Sequence, residues 1–212
     1  MLWLYRLLAP QFRKPRGVMG RLVSRKMERL NINPYAFSLA KLDVKPDEHV
    51  LEVGYGPGQG IRQLYERVKD GAGTVTGIDF SSTMQKKASR MNRAGIDAGK
   101  VALRLGSAEC TTLESDRFDA LLAVNVVYFF EDVTGCLGAL RRVLKPGGRA
   151  AFYFTDKRFL THLPARCFTT YTGDEFKEKM AEAGFRQVRV ETTEPLDELG
   201  KFGHCVIGVK PS

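Results

Sequence analysis

Short apolar runs alternate with longer stretches of helical period along this chain, the signature of a wound α/β sheet. "HVLEV" (49–53) reads as a buried strand, followed by a helix over 58–70 with Ile61, Leu64, Tyr65 and Val68 on one face. "TVTGID" (74–79) is a second strand, and a helix over 81–95 opens on a serine cap and closes on glycine. "VALRL" (101–105) is a third strand. A fourth lies within "FDALLAVNVVYFF" (118–130), nearly all apolar as a central parallel strand should be.

A helix over 133–144 then ends at "KPGG" (145–148), which stops it and turns the chain into a fifth strand, 149–155. One more helix, 173–184, precedes "FRQVRVETT" and "KFGHCVIGVK", two strands that pair antiparallel as a closing hairpin. The pattern predicts a Rossmann-like three-layer sandwich on a seven-stranded, mostly parallel sheet. It divides the chain into a basic N-terminal arm or lid (1–44) and a single α/β domain (45–212).

Charge changes the picture only at the start. The net +9 is concentrated in residues 1–30, where eight Lys/Arg face one acid, while the remainder nearly balances at 25 against 23. Such asymmetry raises the expectation of an anionic partner, against the plainer reading of a solvated charged face. The arm is read as a lid over the domain's ligand site, with a basic amphipathic anchor giving peripheral contact with an anionic membrane as the alternative. No apolar run approaches the roughly 20 residues that cross a bilayer, and "MLWLYRLLAP" lacks the features of an export signal. The four cysteines show no CxxC spacing and have no short-range histidine partners, which argues against metal and disulfides and for a reducing cytoplasm.

The chemistry concentrates in "VLEVGYGPGQG" (50–60), with glycines at 54, 56, 58 and 60 after the first strand. Glycines so placed let a ligand press against main chain, at the strand end where open α/β sheets bind ligands. The spacing departs from a dinucleotide G-x-G-x-x-G, since Gln59 or Ile61 occupies the last position. Pro57 removes an amide that a pyrophosphate would use, so the expected ligand is a nucleoside without one.

These residues resemble motif I of the class I S-adenosylmethionine-dependent methyltransferases, and later motifs agree in order: Asp79 in "GIDFSSTM", "LGSAE" (105–109), the fourth strand, and "LRRVLKPGG". The resemblance runs from about residue 48 to 155 and implies S-adenosylmethionine as cofactor. Glu52, Gly54 and Gly56 are then expected at its methionine end, Asp79 on its ribose, and Phe80, Met84, Ser107 and Ala108 at its adenine. Tyr55 and Ser107 depart from the residues common in the family at their positions; Tyr55 is kept among the cofactor-binding candidates with Asn125, a polar residue closing an apolar strand. Tyr128 and His162 are candidates for a general base, which methyl transfer does not require.

The acceptor is expected to be a small organic or lipid-like molecule. It is placed over Asn125 to Tyr128, the loop 155–171 and the arm, lined by Phe129, Phe130, Phe159, Phe168 and Tyr171. Nucleic acid is disfavoured because the chain has "NVVYFF" after the fourth strand and no RNA-binding motif. An RNA or protein methyltransferase, or a cofactor-binding regulator without chemistry, are the alternatives. The residues leave the oligomeric state open.

Overall fold

A computed structural model describes residues 31–108, 113–161, 168–194 and 201–212. Within them, helix α1 (Ile32–Leu42) precedes β1 (His49–Val53), α2 (Gln59–Val68), β2 (Thr74–Asp79), α3 (Ser82–Met91), α4 (Arg93–Asp97) and β3 (Val101–Leu105). There follow β4 (Phe118–Val124), α5 (Val133–Val143), β5 (Leu144–Thr155), α6 (Gly173–Glu182), β6 (Arg186–Thr192) and β7 (Gly203–Val209).

The seven strands form one sheet in the order β3-β2-β1-β4-β5-β7-β6. Strands β1 to β5 run parallel, and β7 inserts antiparallel between β5 and β6. The central strands are apolar on both faces because both faces are covered. On one face Leu51, Val53, Leu121, Ala123, Phe152 and Phe154 pack with Leu137 and Leu140 of α5 and Phe176 and Met180 of α6. On the other, Val50, Val75, Leu122, Val124 and Tyr153 pack with Tyr35 and Leu39 of α1, Ile61 and Leu64 of α2 and Ala88 of α3. Among the described residues no helix is long and apolar enough to cross a membrane.

The chain order reverses between β1, which leads outward to β2 and β3, and β4, which leads outward to β5 on the other side. Their carboxyl ends leave a crevice where such folds bind ligands. Helix α1, counted with the arm in the sequence, lies on the sheet as part of the core, and its N-cap Asn31 reaches that same carboxyl edge.

Two local expectations change. The helix expected over 81–95 breaks at Asn92, whose side-chain amide donates to both Ala88 O and Gly58 O, and a second short helix, α4, follows. "KPGG" does not merely precede the fifth strand but lies inside β5, which starts at Leu144. The Gly147 N–H donates to Lys210 O and the Lys210 N–H to Gly148 O, so the chain end pairs with this turn and extends the ladder. A register shift opposite Phe118–Ala120 absorbs the extra residues.

Candidate functional site

The end of β1 shows why its glycines are there. Gly54 has φ +70°, and a Cβ on it would overlap Val126 Cγ1 beyond the end of β4. Only glycine takes that conformation cheaply in that space. At Gly56 a Cβ would meet nothing within 4 Å, so this backbone faces open space. Gly58 and Gly60 serve packing instead: Gly58 abuts Ala88 and Asn92 of the next helix, and Gly60 abuts Tyr35 and Glu52. The sequence reading assigned all four to a ligand; the two C-terminal ones seat α2 against its neighbours.

Asp79, at the end of β2, is buried and holds the loop in shape. Its Oδ2 accepts the Gly56 N–H at 2.9 Å and its Oδ1 the Ser81 N–H at 2.8 Å. Burial pushes this carboxyl above its ordinary range, and the two amides oppose that shift. A carboxylate offers about four lone-pair sites, so two amides leave capacity for hydroxyl donors.

A cleft of about 350 Å³ opens along this edge. Its inner wall is Val53, Gly54, Ile78 and Asp79; Phe80, Gly106, Ser107 and Ala108 form one end, and Val126, Phe129, Phe130, Glu131 and Cys136 the other side. The ionisable groups of charged type in this lining, Asp79 and Glu131, are both acidic, which suits a cationic nucleoside and opposes a polyphosphate. Apolar side chains on both sides provide a slot for a flat ring. The lining therefore fits a cofactor with a ribose, an adenine and a positive charge. Among the described residues no group of three or more His, Cys, Asp or Glu side chains is arranged for a metal ion.

Glu52 does not line the cleft. It is fully buried on the opposite face, where Oε1 accepts the Tyr35 hydroxyl at 2.7 Å and Oε2 has no hydrogen-bond partner. Desolvation dominates its titration and lifts it to about 8; the Tyr35 hydrogen bond opposes the shift and the nearby Asp79 charge adds to it.

Of the other sequence candidates, Gly54, Gly56, Asp79, Phe80, Ser107 and Ala108 gather around the cleft as expected for one site. Tyr55 and Met84 do not. The Tyr55 side chain is fully buried under the sheet, packed near Gly77 and Ile61, because the loop's bend turns it back into the core. Met84 is buried in the first turn of α3, where its N–H meets the Ser81 cap. Asn125 stands one residue before the lining, with φ +56°, and its Nδ2 donates to Asn31 Oδ1 at 2.8 Å.

Tyr128 is buried, and its hydroxyl donates to Asn125 Oδ1 at 2.9 Å while accepting the Thr155 N–H at 2.6 Å. Burial drives its acidity further from neutrality. Such a hydroxyl is poorly placed to take a proton from an acceptor. His162 lies outside the described residues. Of the aromatics expected around an acceptor, Phe129 and Phe130 line the cleft, Phe168 and Tyr171 are core, and Phe159 packs edge-on against Phe202.

Sequence reasoning missed Val53, Ile78, Glu131 and Cys136, and reached Gly106 and Val126 only as members of the segments 105–109 and 125–128. The signal for Val126 was indirect: glycine at 54 implies a close neighbour without naming it.

Residues 51–152 match the family model described as "Methyltransferase domain". The chain is 31% identical over 195 residues to the uncharacterized methyltransferase YdaC of Bacillus subtilis, covering 92% of this chain and 99% of that protein. It is 24% identical over 181 residues to the ubiquinone/menaquinone biosynthesis C-methyltransferase UbiE of Geotalea daltonii, covering 72% and 77%. In structure it resembles a Haemonchus contortus phosphoethanolamine N-methyltransferase 2 in complex with phosphomonomethylethanolamine and S-adenosylhomocysteine. The TM-score is 0.72 at 18% identity, over 85% of this chain and 53% of that one, a likeness of fold.

Proposed function

The chain belongs to the class I S-adenosylmethionine-dependent methyltransferases, and we propose that it methylates a small organic or lipid-like acceptor. The observation that carries the reading of the acceptor is the cleft itself. The cofactor is assigned to its inner part, and Phe129 and Phe130 give the outer wall left to the acceptor an apolar, aromatic face. Relatives named for quinone and phosphoethanolamine methylation support a small acceptor there.

The cofactor supplies a methyl group on a sulfonium, already a good leaving group. The protein's part is then to bind, align and exclude water. Asp79, with two lone-pair sites left, is assigned to the ribose hydroxyls. Phe80, Ile78 and Ala108 are assigned to the adenine, and the open backbone at Gly56 with Gly54 to the methionine portion. Tyr128 and Asn125 tie the ends of β4 and β5 together and keep the acceptor side rigid. No proton-accepting role is assigned to Tyr128, whose hydroxyl oxygen already accepts an amide; alignment of acceptor and methyl carries the rate. The basic residues 1–30 join the fold through Asn31 at this same edge, which supports a role for the arm in receiving an anionic acceptor.

The experiment is an incubation of the purified protein with methyl-labelled S-adenosylmethionine and a cell extract split into small molecules, lipids, RNA and protein. Label is expected in the small-molecule or lipid fraction. Label confined to RNA or protein would establish the second reading, a macromolecular methyltransferase.

A further inference from the structure

Glu52 is the one ionisable group at the end of β1, and its surroundings hold no counter-charge among the described residues. Its register neighbours in the sheet are Gly77 on β2 and Leu122 on β4, neither of them ionisable. From α1 it meets the neutral Tyr35 hydroxyl, and from α2 the bare Gly60. The nearby ionisable side chains are Tyr35, Tyr55 and Asp79, none of them cationic. One carboxyl oxygen is fully buried without a partner. An ionised carboxylate so placed is costly, and a protonated one is not. Yet the next two residues along the strand, Val53 and Gly54, form the wall of the cleft, and Glu52 already feels the charge of Asp79 in that wall, so a charge entering the cleft acts on it too.

We propose that Glu52 is a charge-selecting residue of the cofactor site, holding a proton while no cation is bound and releasing it to solvent when a positive charge enters the cleft beside Gly54. The inference rests on the reading that this cleft receives the cofactor. The carboxylic acid becomes a carboxylate and its proton passes to buffer; any proton taken up by the ligand's α-amino group, which titrates at about 8, is common to the wild type and a Glu52 variant. S-adenosylmethionine carries one more positive charge than its demethylated product. The ionised Glu52 therefore favours the methyl donor, and reprotonation favours release of the product. Lifted to about 8, the carboxyl holds a proton at neutral pH that binding can release.

The test is calorimetric and requires no acceptor. Binding of S-adenosylmethionine and of S-adenosylhomocysteine is measured at pH 7.5 in two buffers of different ionisation enthalpy, with the wild-type chain and with Glu52→Gln. Relative to Glu52→Gln, the wild type is expected to release an additional fraction of a proton with the donor, and less of it with the product. Its preference for donor over product should rise more steeply from pH 6.5 to 8.5 than that of the variant, in which only the ligands' own α-amino groups still titrate. Donor binding with the same proton count in both proteins overturns the proposal. Failure of either ligand to bind the wild type instead removes the reading of the cleft on which it rests. If Glu52→Gln does not fold, Tyr35→Phe decides. Loss of its hydroxyl removes the group that stabilises the carboxylate, so proton release should move to higher pH, and an unmoved profile overturns the proposal.

Discussion

Tyr128 and Asn125 orient one another. The Tyr128 oxygen accepts the Thr155 N–H, so its proton must go to Asn125; the Asn125 atom facing it is therefore the carbonyl oxygen, and its amide nitrogen is left to meet Asn31. Three segments, the entry to α1, the end of β4 and the end of β5, are thereby tied at the edge where the cleft opens.

Tyr128→Phe should cost about 1–3 kcal/mol of folding stability, because the Thr155 amide loses its partner in a partly buried position. Chemical denaturation measures it. Once an acceptor is identified, any loss of kcat should be the same factor at every pH; disappearance of one limb of the pH–rate profile would show that the hydroxyl moves a proton after all.

Asp79→Ala should weaken binding of S-adenosylhomocysteine by about 1–3 kcal/mol, since it removes the acceptor assigned to the ribose and also releases the Gly56 and Ser81 amides that shape the loop. Titration calorimetry provides the number. An unchanged affinity would move the ribose elsewhere in the cleft.

Gly54→Ala should destabilise the fold and weaken cofactor binding, because it combines a positive φ with overlap on Val126. Adding Val126→Ala makes room but leaves the backbone strain of about 1 kcal/mol, so recovery in thermal unfolding should be partial. Full recovery would show that crowding alone demands glycine here.

Asp156 and His204 set an acid limit. Asp156 Oδ2 faces His204 Nε2 at 2.8 Å, and the Arg158 guanidinium bonds Oδ1, so these partners overcome burial and hold the carboxyl down to about 2. A depressed carboxyl contributes stability that is present above its unfolded value near 3.8 and disappears as pH falls towards 2. Asp156→Asn should therefore lower stability at neutral pH and flatten its fall between those limits, as followed by acid titration of circular dichroism. A parallel, merely displaced curve would remove Asp156 from the acid transition.

The sequence by itself determined the sheet and the location of the site. Apolar runs bounded by turn residues can be satisfied only by strands covered on both faces, and a glycine loop at the end of the first strand marks where main chain comes into the open. Asp79 was legible for the same reason, as a carboxylate closing an apolar strand. The tertiary structure decided which way side chains face. Glu52 and Tyr55 sit within two residues of Gly54, yet one lies beneath the sheet against Tyr35 and the other is folded into the core near Gly77. Likewise Gly58 and Gly60 look like ligand-binding glycines until Asn92 and Tyr35 are seen against them. The roles of Asn125 and Tyr128 depend on Asn31 and Thr155, far away in sequence, because a hydroxyl or amide acquires its function from the partner that folding brings to it. A strand's two-residue period fixes an alternation of faces, but which face meets a ligand depends on the helices that cover the other.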